Sequence, residues 1–258
     1  MSTFLNASPI FGPVRSRRLG LSLGVNMMPA SGKICTFDCI YCENGLNAER
    51  PCHEPYNTAA GVLDALEAKL REMAAEGELP DVITFAGNGE PTAAPDVSAA
   101  IAGAIALRDQ LAPNTKIAVL SNGTRADQPA VHDALMMVDD NILKLDTVDP
   151  AFIQLLDQPV GPYDVEHQIE TFASFNGHVI IQTIFLNGEY QASPSITLVK
   201  RTSALGSRRC ERIRPQEVTI YTVARETPVA GLAKAAPVVL DTIAARVRAL
   251  GIPCQVSY

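Results

Sequence analysis

A parallel α/β architecture, of the partial (β/α)6 TIM-like barrel class with helices outside the strands, is predicted by three observations on this 258-residue chain. Short runs rich in Val, Ile and Leu alternate with amphipathic helical patterns from Leu19 onward. The runs are nearly continuous in apolar residues, as strands covered on both faces must be. Each is followed by enough chain for a right-handed helical crossover to a parallel neighbour. Six such units make a partial barrel, not a closed eightfold one.

The elements follow in order. Residues 21–27 alternate apolar with small or polar residues and lead into a cysteine-bearing loop. A helix is predicted over residues 59–75, with Val62, Leu63, Leu66, Leu70 and Met73 on one face. Residues 81–86 read as the second strand, followed by a helix carrying Val97, Ile101, Ala104, Ile105 and Leu111. Residues 116–120 form the third, before a helix marked by Val131, Ala134, Leu135 and Val138. Residues 141–146 form the fourth, before helical segments near 150–156 and 165–175. Residues 179–185 form the fifth, before a helix with Leu198, Val199, Thr202 and Leu205. Residues 217–221 form the sixth, whose helix carries Val239, Ile243, Val247 and Leu250. The Gly- and Pro-containing stretch 11–20 reads as a lead-in, and residues 253–258 as a terminal strand or tail. The expected division is a lead-in over residues 1–18 and one core domain over 19–258.

Composition narrows the classes of function. With 47% apolar and 19% charged residues the chain is globular, not disordered. No apolar run reaches about 18 residues and the N-terminus lacks the pattern of a signal peptide, so a cytoplasmic protein without a membrane span is expected. A net charge of −7 argues against general affinity for nucleic-acid backbone. Two basic groups depart from that mean: Arg15, Arg17 and Arg18, and Lys200, Arg201, Arg208, Arg209, Arg212 and Arg214. Either a solvated face or recognition of an anionic substrate accounts for them.

In parallel α/β barrels the chemistry sits on loops leaving the C-terminal ends of the strands. Polar and cysteine residues fall there repeatedly. Cys35, Cys39 and Cys42 follow the first strand with the spacing C-x3-C-x2-C, which suits three irons of a [4Fe-4S] cluster and leaves the fourth iron open. Gly87-Asn88-Gly89-Glu90 follows the second strand, and Ser121-Asn122 the third. Lys144 and Asp146 end the fourth, sharing a face at a separation of two. Gln182 lies late in the fifth and Tyr221 ends the sixth. Plainer readings stand beside these: a turn at Gly87–Glu90, helix capping by Ser121 and Asn122, a buried Lys144–Asp146 ion pair, and a zinc site with Cys52 or His53 as fourth ligand. Cys52, Cys210 and Cys254 are dispersed and read as small buried residues, and the four histidines form no metal-binding spacing.

The cysteine spacing, with Tyr41 beside the last cysteine, resembles the radical SAM superfamily. That resemblance implies a [4Fe-4S] cluster and S-adenosylmethionine (SAM) as cofactors, and reductive cleavage of SAM to a 5′-deoxyadenosyl radical. It further implies that Gly87, Asn88, Gly89 and Glu90 receive the methionine amino group, and that Ser121 and Asn122 meet the ribose or carboxylate. An electron donor such as flavodoxin or ferredoxin would be a partner. With residues 12–24 and Gly-Asn-Gly-Glu-Pro-Thr included, the chain is similar to small members related to the enzymes that form the wyosine base of tRNA. Those enzymes carry further cysteines ahead of the SAM cluster, whereas none precedes Cys35 here. The substrate class stays open among RNA, peptide and anionic metabolite. The alternative to an enzyme is a non-catalytic zinc- or cluster-binding module.

Overall fold

Helix periodicity and strand runs fall in the computed structural model close to where the sequence puts them; it describes residues 3–190 and 208–258. Two compact units share the chain. One gathers Leu5–Thr36 and Asn47–Ile142; the other gathers the residues up to Phe4, Phe37–Leu46 and Leu143–Tyr258.

The first unit contains β1 (Ile10–Ser16), β2 (Gly20–Val25), α1 (Ala59–Glu76), β3 (Val82–Phe85), α2 (Val97–Leu111), β4 (Lys116–Ser121), α3 (Pro129–Met137) and the start of β5 (Asp140–Lys144). Its strands lie side by side in the order β1-β2-β3-β4-β5. The parallel register sets Val25 beside Phe85 and Phe85 beside Val119, so the loops that follow leave at one level. All four residues of β3 are buried, as a near-continuous apolar run requires. α1 starts where Thr58 accepts a hydrogen bond from the Gly61 amide at 3.2 Å, and it stops at Gly77 in the left-handed conformation. Its buried Val62, Leu66, Leu70 and Met73 recur at helical spacing.

The second unit contains α4 (Pro150–Leu156), α5 (Val165–Ser174), β6 (Ile180–Ile184), β7 (Leu186–Asn187), α6 (Arg208–Ile213), β8 (Glu217–Tyr221), β9 (Ala233–Lys234), α7 (Pro237–Ala249) and β10 (Cys254–Ser257). β6, β8 and β10 pair in parallel in that order. β7 and β9 form a small antiparallel pair. Asp149 and Asp164 cap α4 and α5, each accepting from two backbone amides of the first turn.

Two elements differ from expectation. Residues 10–16 are a strand, antiparallel to β2, where a lead-in was expected. Gly12 and Pro13 hide it in the sequence, because they sit where the register shifts between Phe11 and Val14. The β7–β9 pair is too short to carry any periodicity. The predicted helix with Leu198, Val199, Thr202 and Leu205 lies outside the described residues.

Candidate active site

The predicted site residues fall into two groups, one in each unit. In the first unit Gly87-Asn88-Gly89-Glu90 leaves β3 along an edge where side chains have no room. At Gly89 (φ +138°) a Cβ would lie 1.8 Å from the Ile34 carbonyl oxygen, and at Gly87 (φ +133°) one would lie 2.4 Å from Asn26 Oδ1. The Ile34 amide donates to the Asn88 carbonyl at 3.0 Å, and the Glu90 amide to the Ile34 carbonyl at 3.0 Å. The chain just before Cys35 is thereby laced to the glycine segment. The Asn88 side chain is spent on backbone: it accepts from the Asn6 amide at 2.7 Å and donates to the Asn6 and Pro29 carbonyls.

Glu90 is a hub. Its side chain caps a short 3-10 turn, Pro91–Ala93, and it is 2% exposed. Oε1 accepts from the Thr92 amide (3.0 Å), the Thr92 hydroxyl (2.5 Å) and the Ser121 hydroxyl (2.7 Å), while Oε2 accepts from the Asn122 amide (2.7 Å). Burial raises the Glu90 pKa, and these hydrogen bonds oppose the rise. Asn122 turns its amide nitrogen to the Thr36 hydroxyl at 2.8 Å and to the Cys35 sulfur at 3.9 Å. Its Oδ1 accepts from the Thr124 amide and hydroxyl. α3 starts only at Pro129, and Gln128 at its N-cap position makes no side-chain capping bond, so neither Ser121 nor Asn122 caps it.

In the second unit Lys144 lies between two buried carboxylates. Its ammonium is 2.5 Å from Asp146 Oδ2 and is also hydrogen-bonded to Asp157 Oδ1. The Tyr41 hydroxyl donates to Asp146 Oδ2, and the Ile184 amide donates to Oδ1 at 3.0 Å. The same ammonium stands 5.2 Å from the Phe37 ring centroid and 5.5 Å from that of Tyr41. Burial works against its charge, but Asp146, Asp157 and Cys39 outweigh burial and hold its pKa well above the ordinary value. It is a fixed cation, not a nucleophile. Burial, then Asp146, raises the Tyr41 pKa as well. Gln182 donates to the Tyr221 hydroxyl at 3.3 Å.

Asp157 was not anticipated. It follows a helix, not a strand, so the rule that placed the other residues passes it by. Burial pushes its pKa from an ordinary 3.8 to about 7, with Lys144 pulling down and Asp146 pushing further up. The native state therefore holds a proton that the unfolded chain releases near pH 4, and stability falls as pH rises from about 4 through about 7. The melting temperature is expected to drop between pH 5 and pH 8, and Asp157→Asn to flatten that drop; thermal unfolding across this range checks it.

Cys35, Cys39 and Cys42 are partly exposed and form no disulfide, and the Cys42 amide donates to the Cys39 carbonyl at 3.1 Å. Among the described residues no three His, Cys, Asp or Glu side chains stand together as a ready-made metal site. Cys254 is buried, which pushes its thiol up to about 11; Cys52 is half-buried, and the Cys210 side chain lies outside the described part. Arg15 makes a 3.7 Å ion pair with Glu78 on the surface. Arg212 pairs with Glu166 at 2.8 Å and Glu170 at 3.6 Å, as a solvated face does. Lys200 and Arg201 lie outside the described residues. No described helix is long and apolar enough to cross a membrane.

No family model matches the chain. Among curated proteins it is similar to a UPF0026 protein of Helicobacter pylori, 29% identical over 75% of this chain and 61% of the relative. It is also similar to UPF0026 protein slr1464 of Synechocystis, 33% identical over 69% of this chain and 64% of the relative. The chain thus spans a little over three-fifths of these relatives. Among solved structures it is similar to a radical SAM methyltransferase from Sphaerobacter thermophilus, with TM-score 0.64 and 17% identity over 91% of this chain and 65% of that one. SuiB of Streptococcus suis bound to S-adenosylmethionine gives TM-score 0.61 and 15% identity over 91% of this chain and 50% of that one; SuiB has also been solved with precursor peptide SuiA. The predicted fold class, a partial parallel α/β barrel, is borne out by this likeness: the chain has the fold of these radical SAM proteins.

Proposed function

We propose that the chain is a radical SAM enzyme. Cys35, Cys39 and Cys42 would hold a [4Fe-4S] cluster, and residues 87–90 with Ser121 and Asn122 would bind SAM. The single observation that carries the reading is the C-x3-C-x2-C set, unbridged by disulfides, on a chain with this fold. The donor set fits: three cysteines outside any disulfide within eight residues of chain suit iron, and all three are partly exposed. When bound, such a cluster would supply the chemistry of one-electron reductive cleavage of SAM to methionine and a 5′-deoxyadenosyl radical, the electron coming from an external donor.

The chain's own residues then bind and orient. The Gly87–Glu90 edge offers backbone acceptors at close range for an ammonium group. Glu90 Oε2, with one donor on it, retains a lone pair for the same purpose. The Asn122 amide at the Cys35 sulfur orients that ligand and damps its charge. Lys144, Asp146, Gln182 and Tyr221 are the second unit's residues that we assign to contact with SAM or substrate. The solved complex of SuiB with precursor peptide SuiA lends support to a peptide as substrate class, and the −7 net charge weighs against RNA. Flavodoxin or ferredoxin is the class of electron donor such a cluster uses, and a cytoplasmic location goes with it. Anaerobic protein reduced with dithionite is expected to release 5′-deoxyadenosine from SAM, read by chromatography. Release equal to a protein-free control would refute the reading.

A further inference from the structure

We infer that Lys144 and Asp157 form a latch that fixes the segment Phe37–Tyr41 around Cys39, whether or not anything is bound there. The latch starts from a general deficit: the last carbonyls of a helix lack partners within it. At the end of α4 these carbonyls are met by the cysteine segment. The Ile40 amide donates to the Leu156 carbonyl at 3.0 Å, and the Asp38 amide to the carbonyls of Asp157 and Gln158, each at 3.0 Å. Phe37 bridges Pro159 in antiparallel fashion, and its ring meets Tyr163 edge-on at 5.3 Å.

Side chains lock what the backbone begins. Lys144 binds Asp157 at the helix end and Asp146, which in turn receives the Tyr41 hydroxyl. The ammonium also faces the rings of Phe37 and Tyr41. Residues on both sides of Cys39 are therefore tied to one buried cation and its two carboxylates. Phe37, Ile40, Tyr41, Asp146 and Asp157 are all buried. Removing Lys144 leaves Asp146 and Asp157 in the interior without their cation, and removing the Asp157 charge unties Lys144 from the end of α4 and leaves it with Asp146 alone; in each case the nearest relief is to let the segment open.

Lys144 and Asp157 are thus positioning residues; only the naming of Cys39 as a ligand rests on the proposed function. The test uses the apo protein, so it stands whether or not the cluster reading holds. Wild type, Lys144→Met and Asp157→Asn are alkylated with iodoacetamide under native conditions at about pH 8, above the Asp157 pKa of about 7, and labelling of each cysteine is followed by mass spectrometry. Charge alone predicts opposite shifts: losing the cation slows Cys39 by disfavouring its thiolate, and losing the carboxylate speeds it. The latch predicts that both variants label faster at Cys39, by about tenfold or more, the scale of one lost charge-assisted hydrogen bond. Cys254, buried elsewhere in the same unit, should keep its wild-type rate. Opposite shifts at Cys39, or no change, overturn the latch. Equal acceleration at Cys254 also overturns it, because it shows general loosening instead of release of one segment.

Discussion

Gly89→Ala is expected to destabilise the protein by several kcal/mol, on the order of 3–5, and to cost soluble yield at 37 °C. The added Cβ would stand 1.8 Å from the Ile34 carbonyl oxygen and 2.5 Å from its carbon, and both are backbone atoms. Neither can swing aside as a side chain would. Both flanking hydrogen bonds, Ile34 to Asn88 and Glu90 to Ile34, hold the two segments at this distance. Relief requires breaking them, and a φ of +138° adds strain for any residue with a Cβ. Gly161→Ala is the control, since nothing lies within 4 Å of its Cβ; it should unfold within about 0.5 kcal/mol of wild type. Urea titration of the two variants decides. Similar midpoints would mean that the glycine edge is not the constrained feature described.

Glu90→Ala is expected to cost about 3 kcal/mol or more, because the carboxylate satisfies four buried donors at once. Without it the Ser121 hydroxyl, the Thr92 amide and hydroxyl, and the Asn122 amide lose their acceptor. Glu90→Gln keeps the shape and one carbonyl oxygen but presents an NH2 to the Asn122 amide, so it should fall between wild type and Ala. If the Glu90→Ala protein kept wild-type stability while its SAM affinity fell, Glu90 would be a ligand group alone and not the hub that joins the loops after β3 and β4. Loss of both is the expected result.

Much of this was legible in the sequence because the physics involved is periodic or local. Buried parallel strands must be apolar on both faces, so residues 82–85 and 116–121 announce themselves, as does the face of α1 through Val62, Leu66, Leu70 and Met73. The rule that chemistry follows such strands picked out Glu90, Ser121 and Asn122, which are bonded together in the first unit, and Lys144 and Asp146, which are paired in the second. It could not mark Asp157, which closes a helix and reaches Lys144 across thirteen residues of chain. Nor does residue type show that a carboxylate expected to meet a ligand also holds its neighbours together: only the four donors on Glu90 reveal that. β1 was hidden by Gly12 and Pro13, which ordinarily punctuate loops but here accompany a break in register.

The central claim is the proposal that Cys35, Cys39 and Cys42 would hold one [4Fe-4S] cluster that acts on SAM. The most direct measurement is anaerobic reconstitution of wild type and of the Cys35→Ala/Cys39→Ala/Cys42→Ala protein with iron and sulfide. Iron is then counted and the electron paramagnetic resonance spectrum of the reduced sample is recorded with and without SAM. The account predicts about four irons per chain and a brown colour in wild type, both absent from the triple variant, and a spectrum altered by SAM. Four irons in the triple variant, or a colourless wild type that takes up only zinc, would contradict it.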